Sequence, residues 1–266
     1  MNFNRLDQII MNLRILFTFL SLFAVIGSAS INPVLAKEIK TIEAGDTEID
    51  VRIFPAKGNI LLLGFPCDEG KSLAEEKTAS SLAEDGIEVW MPDLLSGFML
   101  PKVRSSLSQI STESLVAIIN EATKTGKKVY LIASGPDTEL ILRGASHWES
   151  NEENTALSGA VLMFPRLFKD SPVPGEMPKY QDAVGKTRLP ILLLEGERTP
   201  NRWGLNTLSH ELEKNGSKVK SKVIPNVRGY FFKRKDANRS EDVVTSQMAG
   251  LIKVSLFYLE EKESND

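Results

Sequence analysis

The chain of 266 residues is 42% hydrophobic and 25% charged, with 18 glycines and 13 prolines, a composition that excludes collagen-like, disordered and coiled-coil structure. Its 32 basic and 35 acidic side chains leave a formal net charge of -3, so no long-range field draws it to phosphate backbones or anionic lipid, and no nucleic-acid partner is expected. One cysteine, Cys67, and two histidines, His147 and His210, rule out an internal disulfide and most histidine-built metal sites or proton relays.

Residues 15–27 read ILFTFLSLFAVIG, an apolar run preceded by Arg5 and Arg14 and followed by small and polar residues up to Val34-Leu35-Ala36. These are the three parts of a secretory signal peptide, expected to span residues 1–36. Val34 and Ala36 suit the positions that signal peptidase reads, so cleavage is expected before Lys37, with a site after Ala29 as second choice and Met11 as a second possible start. The run makes about 20 Å of helix against a hydrocarbon core of about 30 Å, which favours a cleaved leader over a retained anchor. The expected destination is the periplasm or the medium, with no stable membrane insertion after cleavage. The remaining chain, 37–266, is long enough to bury about 70% of its unfolded surface as a single domain.

Lys37 to Glu43 and Thr47 to Phe54 alternate apolar and polar side chains around Gly45-Asp46, the pattern of a β-hairpin. Asn59 to Gly64 is a continuous apolar run, as in a strand buried on both faces of a parallel sheet. A helix over 72–85, a strand over 87–91, a helix over 112–124, a strand over 128–133 and a helix over 137–148 follow by their apolar spacing. Strands at 157–164 and 189–194 flank a segment rich in proline, and a helix at 203–215 leads to a strand at 218–224. A single long helix with Val244, Met248, Leu251, Ser255 and Leu259 on one face closes the chain. Strands alternating with helices after an antiparallel start predict an α/β fold, a doubly wound and mostly parallel sheet.

Function in such a sheet sits at the carboxyl ends of the strands. Gly64 to Ser72 (GFPCDEGKS) has the look of a phosphate loop, but five residues separate its glycines where four are needed, and Asp68 and Glu69 would face the phosphate. It reads as a polar strand-to-helix loop, and no cofactor is expected. Leu131 to Asp137 (LIASGPD), running into a helix, resembles the nucleophile elbow G-x-S-x-G of the α/β-hydrolases. The resemblance extends to 59–64, to IEVWMPDLL at 87–95, to LPILLLEGERTP at 189–200 and to VIPNVRGYFF at 223–232, in the family's order. It implies an α/β-hydrolase-like fold in which 165–188 is a short cap or insertion, with Phe164, Leu167, Phe168, Met177 and Tyr180 lining a pocket or closing the core.

Matched residue by residue, the resemblance puts Gly135 at the nucleophile, Thr199 at the acid and Gly229 at the histidine. All three depart from the family's chemistry. Ser134 and Cys67 are the remaining candidate nucleophiles, Ser134 reading more readily as a helix cap with Pro136 and Asp137, and Cys67 as an idle thiol beside Asp68 and Glu69. His147 lies about 18 Å along its helix from the turn, and His210 faces away from the apolar stripe of its helix. Phe65, Pro66, Ser134 and Asp137 are expected at a pocket rim. Glu195, Glu197, Asp68 and Glu69 are candidate oxygen ligands for a hard cation, though salt-bridged loop carboxylates explain them better, and Lys233-Arg234-Lys235 with Arg239 reads as a solvated basic loop. The expectation is an exported protein of hydrolase fold without the usual triad, binding a small molecule or a protein of its export pathway; the alternative is a divergent ester or thioester hydrolase using Ser134 or Cys67.

Overall fold

The computed structural model describes residues 37–65, 73–151, 157–173 and 175–260. The leader at 1–36 and the expectations placed on Pro66, Cys67, Asp68 and Glu69 lie outside the described residues.

Eight strands form one sheet in the order β1-β2-β4-β3-β5-β6-β7-β8. β1 (Glu38–Ala44) and β2 (Thr47–Phe54) are the expected hairpin, with Ala44 opposite Thr47 across a turn in which Gly45 takes a φ of 71°. β2 joins the sheet antiparallel to β4 (Ile87–Pro92). From there every neighbour is parallel: β3 (Ile60–Phe65), β5 (Lys128–Ser134), β6 (Gly159–Met163), β7 (Ile191–Gly196) and β8 (Val219–Ile224). The central position of β3, between β4 and β5, follows from its sequence, since an uninterrupted apolar run is stable only where both faces are covered.

The period-2 alternation of the strands divides the core in two. Leu61, Leu63, Leu131, Ala160, Leu162, Ile191 and Leu193 pack on one face with α2 (Thr112–Thr123), α3 (Thr138–Trp148) and α4 (Leu205–Glu213). Leu62, Ile132, Val161, Met163, Leu192 and Leu194 pack on the other with α1 (Leu73–Glu84) and the C-terminal helix. Each helix on the first face carries the stripe that the sequence promised: α2 buries Leu115, Ile118, Ile119 and Ala122 and is capped at Ser111, whose Oγ accepts from the Ser114 N–H at 3.1 Å. α2 and α3 approach closely because position 144 is glycine; a Cβ there would lie 3.0 Å from Leu115 Cβ. Two short helical turns, Leu94–Gly97 and Arg104–Gln109, span the link from β4 to α2.

The terminal helix differs from expectation. It is interrupted at Gln247, giving α5 (Arg239–Ser246) and α6 (Met248–Glu260). The break follows a Val-Val-Thr-Ser run of poor helix formers, in which Thr245 Oγ1 and Ser246 Oγ donate back to the Glu241 and Val243 carbonyls. The buried face of α6 is therefore Ile252, Ser255 and Leu256, while Val244, Met248, Leu251 and Leu259 are half-buried.

Between β6 and β7 the described residues contain no helix and only an isolated bridge, Phe168 to Tyr180, whose rings stack at 5.3 Å. Phe164 and Leu167 go into the core, and Met177 points to solvent, 73% exposed. Leu167 and Ala183 tie the segment to the core, and its Gln181, Asp182 and Lys186 line a cleft with Pro136 and Arg166. Leu131→Ala, at a position with 0% exposure, is expected to lower stability by about 2–5 kcal/mol, whereas Ile39→Ala, at 67% exposure on edge strand β1, should stay within about 0.5 kcal/mol. Urea unfolding with an unchanged m-value checks both.

Candidate functional site

β5 leaves the sheet at Ser134, extended at φ -124° and ψ 144°, and Gly135 then turns the chain with φ 63° into a single 3-10 turn, Gly135–Asp137, that feeds α3. Pro136 sits at the second position of that turn, still within the first turn, where a fixed φ near the helical value and a missing N–H cost nothing. Thr138 Oγ1 and the Arg166 N–H both donate to the Gly135 carbonyl, at 2.6 and 3.0 Å. The left-handed apex is a conformation that glycine adopts without the steric cost of a Cβ.

The space above that apex is occupied. A Cβ built on Gly135 would lie 0.9 Å from Tyr230 Oη and 2.0 Å from its Cζ. Tyr230 comes from the loop after β8, is itself left-handed at φ 57°, and lies under the Arg166 guanidinium, 4.8 Å from the ring centroid, with Phe232 5.8 Å away on another side. Ser134 does not act as the expected cap, for its side chain makes no cap hydrogen bond on the turn. It instead lines, with Phe65, a cleft of about 740 Å³ on the α1 and α6 side of the sheet. Asp137 is 4% exposed at the start of α3 and also makes no side-chain cap.

The other two matched positions, Thr199 and Gly229, meet at the ends of β7 and β8. A Cβ on Gly229 would stand 3.4 Å from Thr199 Oγ1 and 4.0 Å from Glu195 Oε1. Glu195, the last but one residue of β7, is 1% exposed and accepts the Gly196 N–H at 2.9 Å. Burial pushes its carboxyl up to about 7, against the opposing pull of the Gly196 N–H, the Thr199 hydroxyl and the Arg166 charge. The Thr199 contact is loose: its buried Oγ1 faces Glu195 but makes no hydrogen bond of ordinary geometry. Because Tyr230 follows Gly229 directly, the three positions are brought to one place, with Glu195 beneath them.

Sequence reasoning missed Glu195 and Tyr230 as members of this constellation. The available signal for Glu195 was an acid closing an otherwise apolar strand, Ile191 to Leu194. The cation grouping does not form among the described residues: Glu197 turns away to accept the Asn226 N–H at 2.8 Å, and no three of the His, Cys, Asp and Glu side chains gather for a metal. His147 is exposed on a separate cleft of about 380 Å³, shared with Pro136, Arg143 and Arg166 but not with Ser134, and His210 is exposed on α4. In the basic loop Arg234 pairs with Asp236 at 3.1 Å.

The loop that carries Gly229 and Tyr230 is fixed by a buried carboxylate. Glu241, 0% exposed in the first turn of α5, accepts from Arg228 N, Nε and Nη2 at 2.9, 2.8 and 2.6 Å and from the Asn238 N–H at 2.9 Å. Asn238 returns the favour by accepting the Glu241 N–H, which completes a capping box. The Arg228 guanidinium, with the backbone donors, holds the Glu241 carboxyl down to about 2.

A mostly parallel eight-stranded sheet in this order, with an antiparallel first pair and a left-handed strand-to-helix turn after β5, is the α/β-hydrolase fold. Solved structures agree. The chain is similar to a dienelactone hydrolase from Anabaena variabilis (13% identity, TM-score 0.58, covering 82% of this chain and 97% of that one). It is also similar to an esterase from Pyrobaculum calidifontis (15% identity, TM-score 0.60, covering 84% and 87%) and to a hormone-sensitive lipase from a metagenome library (15% identity, TM-score 0.57, covering 84% and 85%). No family profile and no curated protein matches it by sequence.

The two carboxylates act on stability with opposite sign. Glu195 is raised in the folded state, so the native protein holds its proton between the ordinary value of 4.5 and about 7, and stability falls as pH rises across that window. Melting temperatures from pH 5 to 8 should therefore decline in the wild type relative to Glu195→Gln. Glu241 is lowered, so its contribution is complete above 4.5 and is lost as pH falls toward 2. Between pH 5 and 3 the wild type should lose stability more steeply than Glu241→Gln, read by the same melts.

Proposed function

We propose that this is an exported protein of the α/β-hydrolase fold that binds its ligand or partner without the family's hydrolytic chemistry. The observation that carries the reading is Tyr230, whose phenol stands where any side chain on Gly135 would begin. A nucleophile at that apex would be excluded by the ring as well as absent from the sequence. Thr199 and Gly229 at the ends of the next strands supply neither an imidazole nor a carboxylate, and Glu195 has no histidine beside it to orient, for the chain contains none after His210. In a serine hydrolase, loss of nucleophile and base costs on the order of 10⁶ in kcat, which leaves too little for a dedicated catalyst. The fold alone does not assign an activity. Export rests on the leader at 1–36, and the partner is a small molecule or a protein met along the same route.

Purified protein is expected to give no turnover of p-nitrophenyl acetate or of a thioester beyond the buffer rate, and no labelling by a fluorophosphonate. Repeated turnover lost in Ser134→Ala or Cys67→Ala would overturn the reading in favour of a divergent ester or thioester hydrolase. Gly135→Ser should lower the melting temperature rather than create activity, because its Cβ meets Tyr230 and its φ of 63° is costly for serine.

A further inference from the structure

The α1 and α6 side of the sheet carries the cleft of about 740 Å³, within the range of small-molecule sites. Its origin lies in side-chain size. α1 turns Ala74, Thr78 and Ser81 toward it and the α5–α6 junction turns Thr245, Ser246 and Ala249, short side chains that leave space between the longer Leu82 of α1 and the Met248 and Ile252 of α6. The floor is apolar, built by Leu62, Val89, Met91, Ile132 and Met163 of the sheet, with Met248 of α6 and Phe232 at its sides. Methionine walls adapt to an occupant more readily than branched ones.

The polar groups around the cleft do not suit a charged ligand. Thr78 Oγ1, Thr245 Oγ1 and Ser246 Oγ donate their protons to the carbonyls of Ala74, Glu241 and Val243, at 3.0, 2.8 and 2.7 Å. The charged side chains among the described walls are one of each sign, Glu75 and Lys77. Among the described residues the cleft thus presents no net charge to offset the desolvation of an anionic or cationic head.

We infer that this cleft binds an uncharged, largely aliphatic molecule, its chain lying on the methionine floor between α1 and the α5–α6 junction. The inference gives a ligand class to the binding role proposed above and rests on that reading.

The test uses the purified protein and N-phenyl-1-naphthylamine, a neutral fluorescent probe, in competition with dodecan-1-ol and with dodecanoate. Saturable probe uptake at one site, displaced by dodecan-1-ol, is expected. Ser81→Phe and Ala249→Phe, which fill the gap, should each weaken uptake by at least about tenfold, while Val254→Phe on the exposed side of α6 leaves it unchanged. Methyl-labelled methionine spectra provide a readout free of substitutions: dodecan-1-ol should shift the Met91, Met163 and Met248 signals and leave exposed Met99 and Met177 in place. Absence of saturable uptake, unshifted signals from the three cleft methionines, or dodecanoate binding more than about tenfold tighter than the alcohol would each overturn it. Ester turnover by a protein that still binds dodecan-1-ol would remove the non-catalytic reading and leave the cleft, whereas failed binding without turnover would do the reverse.

Discussion

The arrangement at the strand ends depends on one ion pair built on a buried carboxylate. Glu241 has no contact with water and satisfies both oxygens with four donors, three of them from Arg228. A carboxylate so placed is tolerated only when its partners are held in register, because breaking a buried pair leaves an uncompensated charge. The pair therefore locks the loop after β8 to the first turn of α5. It also fixes Gly229 and Tyr230, the next two residues, in a geometry that a free loop would not keep. Arg228 is tied on its outer side to Asp236 as well, at 2.9 Å, so the loop is clamped at both of its ends.

Once that loop is fixed, the turn after β5 has no open apex. Gly135 is needed twice, for its positive φ and for the missing Cβ that makes room for the Tyr230 phenol. Arg166 closes the arrangement by lying over the ring and by donating its N–H to the Gly135 carbonyl. Beneath it Glu195 is buried without a cationic hydrogen-bond partner among the described residues, and burial pushes its carboxyl up to about 7. Strain and desolvation are thus concentrated where the strands end, while the body of the sheet is ordinary apolar packing.

The adjoining cleft on the α1 and α6 face arises from a different cause. The sheet face beneath it is as apolar as the rest of the core, but Ala74, Thr78 and Ser81 on α1 and Thr245, Ser246 and Ala249 at the α5–α6 junction are too short to fill the space above it. A continuous helix with leucines at these positions would pack the gap shut. The same Val-Val-Thr-Ser run that ends α5 thus also shapes the wall of the cleft.

Chain order, strand identity and the two-faced core were legible in the sequence, because they follow from local periodicity: the unbroken apolar run of β3, the alternation of β1 and β2, the stripe of α2. The glycine at the β5 turn was legible too, as a residue required by backbone conformation. Tyr230 was not, since its role exists only through a contact with Gly135, ninety-five positions earlier, and an aromatic in a loop carries no mark of what it will cover. Nor was the state of Glu195, which depends on how completely the chain folded around it excludes water. Local pattern fixes elements because each residue's own conformation and polarity decide them; the occupant of a space, and the charge of a buried acid, are decided by residues that only the folded chain brings together.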